Sequence, residues 1–297
     1  MKRIHSLLIC MLLVTLLTAC QPGKESAPAP TSVPATRVPA TKTPTSLPPT
    51  ETAMPTATDL PPIPTRRNVL ALRELADLGT GKGPAYSQDW SPDGLLLATA
   101  DTNKIRIWNT SSRQEVGVLV GHAGFTWGLA WSPIMPDGAS LLASGNSDGY
   151  VKVWDAAAQS AIATLQTGWA FSVDWSPDGQ RLVVGTNSAE VQIWDVATQQ
   201  RLVSWRCPSY SMVISIGWSP DGSTIATGEL DGSIHLWDAA TGQLRQTIAD
   251  YTGARCDVNG LAWSPDGNTF ATAHQDGQVR LWDPTSGELT LTIDAHS

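Results

Sequence analysis

Residues Val213–Asp238 read VISIGWSPDGSTIATGELDGSIHLWD. The first six residues alternate toward Trp218, the period-2 pattern of a β-strand. Ser219-Pro220-Asp221-Gly222 follows as a tight turn: Pro presets φ at the second turn position and Gly tolerates positive φ. Ser223 to Thr227 forms a second strand. Asp231-Gly232 is a preferred two-residue hairpin connection. Ser233 to Trp237 is the third strand, ending at Asp238, and Gln243 to Ile248 supplies a fourth. Four antiparallel strands in one compact unit describe a propeller blade.

The unit recurs. Trp-Ser-Pro-Asp-Gly starts at Trp90, Trp175, Trp218 and Trp263, with an interrupted copy at Trp131; the spacings are 41, 44, 43 and 45. A second series, an aliphatic residue then Trp-Asp or Trp-Asn, falls at Trp108, Trp154, Trp194, Trp237 and Trp282. Ten of the 13 tryptophans occupy these two positions, so the repeat accounts for a chain with more Trp than Phe and Tyr together.

These units resemble WD repeats, and the resemblance covers residues 68–297. It implies an all-β WD-repeat propeller with five recognisable four-stranded blades. Some 230 residues fit either a five-bladed ring or a truncated larger propeller, since family members most often have seven blades, and the count leans toward truncation. Asn68 to Leu78 could add a latching strand or begin as a helix. Blades of this family carry a buried network of His, Ser or Thr, Asp and Trp. Only the second repeat matches throughout, with His122, Ser144, Asp148 and Trp154. The fourth keeps Thr227, Asp231 and Trp237 and the fifth Thr272, Asp276 and Trp282, both without the His. The third has Val184 and Ser188 where a hydroxyl and a carboxylate belong, and the first has Thr99 with a shortened turn at Asp101. These residues are expected to be structural.

Ahead of the repeats lie two segments of other character. Lys2 and Arg3 precede the apolar run Leu7 to Leu17, too short to span a bilayer as a helix but fitting a secretory signal peptide. Leu17-Thr18-Ala19-Cys20 resembles the lipobox of bacterial lipoproteins. The resemblance implies a signal peptide at residues 1–19, cleavage before Cys20, and diacylglyceryl attachment to that sulfur. Acylation at one residue with two or three chains would anchor firmly. Residues 20–67 then form a disordered linker, with 12 Pro and 10 Thr in residues 21–65. Its reach runs from roughly 40 Å as a coil to about 140 Å extended. The expected location is the outer face of a bacterial membrane.

Counting back from the first-series Trp, positions −4 and −6 hold Tyr86, Phe125, Trp127, Trp169 and Phe171 in the first three blades. In the family this approach to the innermost strand lies on the usual partner-binding face. Exposed aromatic clusters mark interfaces, so these five are the candidate partner site, packing between blades being the alternative for some of them. Trp205, in a fourth strand, reads as packing.

Chemistry is poorly represented. Gly79-Thr80-Gly81-Lys82-Gly83 lacks the Walker spacing and a Ser or Thr after Lys. No zincin spacing or Cys-x-x-Cys pair exists, so no metal, cofactor or catalytic residue is expected. Cys207 and Cys256 lie in successive interblade loops and are expected to form a disulfide in an oxidising compartment, with two free thiols as the alternative. Residues 68–297 carry 12 Lys+Arg and 24 Asp+Glu, a net of −12. Nucleic-acid binders need basic surfaces, so nucleic acid is excluded, and membrane contact falls to the lipid alone. The leading function is a surface-tethered scaffold for an unidentified protein partner, not an enzyme. The alternatives are a ligand-binding or catalytic propeller using its central channel, as quinoprotein-type propellers do, and a truncated fragment.

Overall fold

The computed structural model describes residues 85–134, 140–248 and 257–295, all within one compact unit of residues 73–297. The signal, Cys20, the linker, the 68–78 segment, the Gly79–Gly83 loop and Cys256 lie outside the described residues.

Five four-stranded antiparallel sheets follow one another in chain order. Blade one holds β1 (Gln88–Trp90), β2 (Leu96–Asp101), β3 (Lys104–Asn109) and β4 (Gln114–Val120). Blade two holds β5 (Thr126–Trp131), β6 (Leu141–Asn146), β7 (Tyr150–Asp155) and β8 (Ser160–Gln166). Blade three holds β9 (Ala170–Trp175), β10 (Arg181–Thr186), β11 (Glu190–Asp195) and β12 (Gln200–Arg206). Blade four holds β13 (Val213–Trp218), β14 (Thr224–Glu229), β15 (Ile234–Asp238) and β16 (Leu244–Ile248), and blade five β17 (Val258–Trp263), β18 (Phe270–His274), β19 (Gln278–Trp282) and β20 (Leu289–Asp294). Among the described residues there is no helix. The sheets touch in sequence through their first strands, β1 on β5, β5 on β9, β9 on β13 and β13 on β17, so the first strand of each blade is innermost.

The Ser-Pro-Asp-Gly motif is explained atom by atom. Gly94, Gly179, Gly222 and Gly267 all take left-handed φ between 68° and 75°. The Ser91 hydroxyl accepts from Leu96 N at 2.8 Å and donates to Asp93 at 2.6 Å. Ser219 and Ser264 repeat both bonds in their own turns. The serine thus closes the hairpin, the aspartate holds the serine, and the glycine takes the left-handed position of the turn.

Blade faces pack on one another through small residues. A Cβ at Gly228 would sit 2.4 Å from Ser215 Oγ and 2.4 Å from Val258 Cγ1 of the next blade, and Gly185 meets Ser172 and Val213 in the same way. Gly228→Ala is therefore expected to cost about 2 kcal/mol by overpacking, read as a lower urea midpoint at unchanged m-value. The corresponding residue of blade five is Ala273, which is exposed.

That difference belongs to a wider one. Trp131 and Trp175 are buried and donate through Nε1 to a main-chain carbonyl of the preceding blade, Asp89 O at 3.2 Å and Ala130 O at 3.0 Å. Trp263 donates likewise to Gly217 O. Trp90, the matching residue of blade one, is 56% exposed. Ala262 and Ala273 are exposed in blade five, where Ala130 and Gly145 are buried in blade two. Among the described residues, the seam between blade five and blade one lacks the packing that joins every other consecutive pair.

Candidate functional site

The aromatic residues come together at the leading ends of the innermost strands. Tyr86 precedes β1, Phe125 precedes β5, Trp127 lies in β5, and Phe171 lies in β9. Their rings form one continuous set. Tyr86 meets Phe125 edge-on at 5.8 Å and Trp127 at 5.2 Å, Phe125 and Trp127 are 6.0 Å apart, and Trp127 stacks on Phe171 at 5.4 Å. Such ring geometries add roughly 0.5–1.5 kcal/mol per pair beyond area burial, so the group is preorganised. Phe125 is 47% exposed and Trp169 37% exposed, while Tyr86, Trp127 and Phe171 are half-buried. Trp169 stands beside β9, outside this set of ring contacts. Three blades thus contribute rings to one partly exposed apolar surface. Trp205 is half-buried against Trp237, with ring centroids 5.5 Å apart, as its outer-strand position led one to expect.

Two carboxylates lie on the same innermost strands. Asp89 Oδ2 accepts from Trp131 N at 2.6 Å and Oδ1 from Trp90 N at 2.9 Å. Asp174 Oδ2 accepts from Trp218 N at 2.7 Å and Oδ1 from Trp175 N at 2.8 Å. Each therefore fastens its blade to the next. Burial raises both above the ordinary carboxylate range, and Asp174, with Asp89 adding like charge, is pushed up to about 7.

The buried network is complete in blade two. His122 Nδ1 pairs with Asp148 at 2.9 Å, and Nε2 meets Ser144 Oγ at 2.8 Å. Ser144 Oγ also accepts from Trp154 Nε1 at 2.8 Å. Burial lowers the His122 pKa against the opposing effect of Asp148.

The other blades keep the indole bond and replace the histidine. Trp108, Trp237 and Trp282 donate to Thr99, Thr227 and Thr272 at 2.8–3.0 Å. Facing each hydroxyl across the hairpin is a residue two before the Trp: Arg106 opposite Thr99, His235 opposite Thr227, Arg280 opposite Thr272. Arg106 reaches Asp101 at 3.1 Å and Glu115 at 2.5 Å, and Arg280 reaches Asp276 at 2.6 Å. His274 adds a 2.7 Å bond to Thr272. In blade three Val184 faces Gln192, whose Oε1 accepts from Trp194 Nε1 at 2.9 Å and whose Nε2 donates to Thr167 O. Lys152 occupies this position in blade two, where the histidine is present. The signal was legible: the first residue of each X-aliphatic-Trp triplet is polar, and it faces the network by strand alternation.

One expected member is corrected. Asp231 does not join Thr227 and Trp237; its Oδ1 accepts from Ser233 N at 3.0 Å within the turn. With no histidine in the preceding loop to reach for, the acid role passes to Glu229, fully buried with Oε1 2.6 Å from His235 Nδ1. The expected Cys207–Cys256 bridge falls on Cys256, which lies outside the described residues; Cys207 is buried with a free thiol. Burial, then the charge of Glu229, holds the Cys207 thiol far above its ordinary pKa.

A family model described as the IFT122 first beta-propeller matches residues 84–290, nearly the whole repeat region. The chain belongs to this family of WD-repeat β-propellers. It is 34% identical over 139 residues to Cell division cycle 20.1, cofactor of APC complex, of Arabidopsis thaliana, covering 44% of this chain and 29% of that protein. It is 32% identical over 97 residues to a WD repeat-containing protein of Synechocystis, sll1491, covering 32% of this chain and 27% of that one. The chain thus spans less than a third of either relative. Among solved structures, a chain in the crystal structure of a mitotic checkpoint complex matches with TM-score 0.61 and 26% identity, over 72% of this chain and 65% of that one.

Proposed function

We propose that this WD-repeat propeller is a non-catalytic interaction scaffold, exported and tethered through lipid on Cys20, with residues 20–67 as a spacer. It binds a protein partner through Tyr86, Phe125, Trp127, Trp169 and Phe171. The observation that carries the reading is the ring set of Tyr86, Phe125, Trp127 and Phe171, drawn from three blades and left partly open to solvent. Exposing contiguous aromatic surface is unfavourable for a free domain, and rigid aromatic anchors supply interface hot spots. Two of the matched proteins bear descriptions of multiprotein assemblies, which agrees with a scaffold. The acidic charge of the repeat region opposes nucleic acid.

Capture from intact cells tests this. With full-length chain as bait, Phe125→Ala/Trp127→Ala is expected to weaken the specific partner more than tenfold, or about 1.4 kcal/mol. Phe125→Ala alone, at the most exposed ring, is expected to act in the same direction with only a modest loss of thermal stability, from its contacts with Tyr86 and Trp127. Identical capture by both variants would overturn the aromatic site. Cys20→Ser is expected to move the chain from the membrane fraction to the soluble one; retention would remove the lipid from the proposal.

A further inference from the structure

Blade four departs from its neighbours in one respect: a thiol joins its buried polar group. Cys207 follows β12 in the loop that leads to blade four, Glu229 ends β14, and His235 lies in β15. All three are buried, and the Cys207 sulfur, a Glu229 carboxylate oxygen and a ring nitrogen of His235 lie within 4.8 Å of one another. The Ser209 hydroxyl donates to Glu229 Oε2 from the same loop. Residues 22 and 28 positions beyond Cys207 are involved, so no short motif could reveal the grouping.

We propose that Cys207, Glu229 and His235 form a binding site for one zinc-like divalent cation. The donor set is one soft sulfur, one imidazole nitrogen and one carboxylate oxygen. That mixture suits zinc and disfavours magnesium and calcium, which take oxygen ligands. Bonds of roughly 2.3 Å to sulfur and about 2.0–2.2 Å to nitrogen and oxygen place such donors on the order of 3.5 Å apart, so the direct 2.6 Å contact of His235 Nδ1 with Glu229 Oε1 opens to admit the ion, while the sulfur already lies within 4.8 Å of both. Thiolate and carboxylate together neutralise a dication, which favours it at a fully buried position where an unmatched carboxylate is costly. Binding releases the thiol proton to solvent. The imidazole presents Nδ1 to the cation and keeps its proton on Nε2. Ser209 or a water completes the four-coordinate shell. The ion would pin the loop carrying Tyr210, which is 76% exposed, to the hairpin of blade four.

Full-length chain freed of metal by chelator, then titrated with Co²⁺ and Zn²⁺ under reducing conditions, tests the site. The expected result is one equivalent bound, a thiolate-to-cobalt charge-transfer band in the near ultraviolet, and displacement of that band by zinc. Cys207→Ser, which keeps a donor to Glu229 and leaves every other cysteine of the protein as it is, is expected to abolish the band and weaken zinc at least 30-fold. His235→Gln is expected to weaken zinc without removing all sulfur character. A wild type that binds below a tenth of an equivalent, or a band of equal strength in Cys207→Ser, overturns the proposal, and both readings stand whether or not either variant unfolds more readily.

Discussion

Asp174→Asn is expected to remove a loss of stability that the wild type suffers between about pH 4 and pH 7. The carboxyl is pushed up to about 7 by burial in the folded chain, whereas in the unfolded chain it titrates near its ordinary value, about 3.9. Below that value both states are protonated and the group contributes nothing. Between the two values the unfolded chain ionises and the folded chain does not, so stability falls as pH rises, by about 1.36 kcal/mol per unit. The total is on the order of 4 kcal/mol, reached near pH 7 and constant above it. Asparagine cannot ionise, but it offers only one acceptor oxygen to the main-chain N–H groups of Trp218 and Trp175. The variant is therefore expected to be less stable than wild type at pH 4.5 and to draw level or overtake it at pH 7.5. Urea unfolding at both values reads the crossing. Burial also shifts Asp89 and His122, but both remain in the variant, so the difference between the two proteins reports Asp174 together with its like-charge coupling to Asp89. Parallel stability profiles would show that the carboxyl titrates normally.

The fold was legible because its determinants are local and repeated. Each Ser-Pro-Asp-Gly turn satisfies itself through a serine hydroxyl two residues from its aspartate, and each second-series Trp finds its acceptor within its own hairpin. Spacing along the chain therefore stands in for contact in space. The aromatic group was legible for a related reason: a fixed offset from a repeating Trp puts residues at the same height on successive blades.

What escaped the sequence is compensation between positions. A blade that loses its loop histidine can refill the space from the facing strand with Arg106, Gln192, His235 or Arg280, and the replacement need not resemble what it replaces. In blade four the carboxylate that meets the facing residue is Glu229, paired with His235, and the Asp231 carboxylate bonds within its turn. The exposure of Trp90 was likewise hidden. Trp90 carries the same motif as Trp175, and only the neighbour it faces decides whether its indole is buried.

Compensation makes a second strong expectation. Ser144→Ala removes a hydroxyl that accepts from Trp154 Nε1 and donates to His122 Nε2, at 2.8 Å each, in a blade where Trp154 and the serine are almost wholly buried. Each orphaned donor or ring nitrogen costs about 1–3 kcal/mol, so a loss of about 3 kcal/mol is expected, several degrees in Tm for a domain of this size. Blade three already lives with an apolar residue there, Val184, because Gln192 faces it and takes the Trp194 indole at 2.9 Å. Lys152 faces Ser144 in the same register but turns its ammonium to Thr164. Lys152→Gln added to Ser144→Ala is therefore expected to recover about half the loss, while Lys152→Gln alone, with the serine still serving the indole, stays within about 0.5 kcal/mol of wild type. The double-mutant cycle then carries a favourable coupling of more than 1 kcal/mol. A coupling near zero would mean that the facing residue does not substitute for the histidine network, and that the polar residues at 106, 192, 235 and 280 follow from something other than the indole beside them.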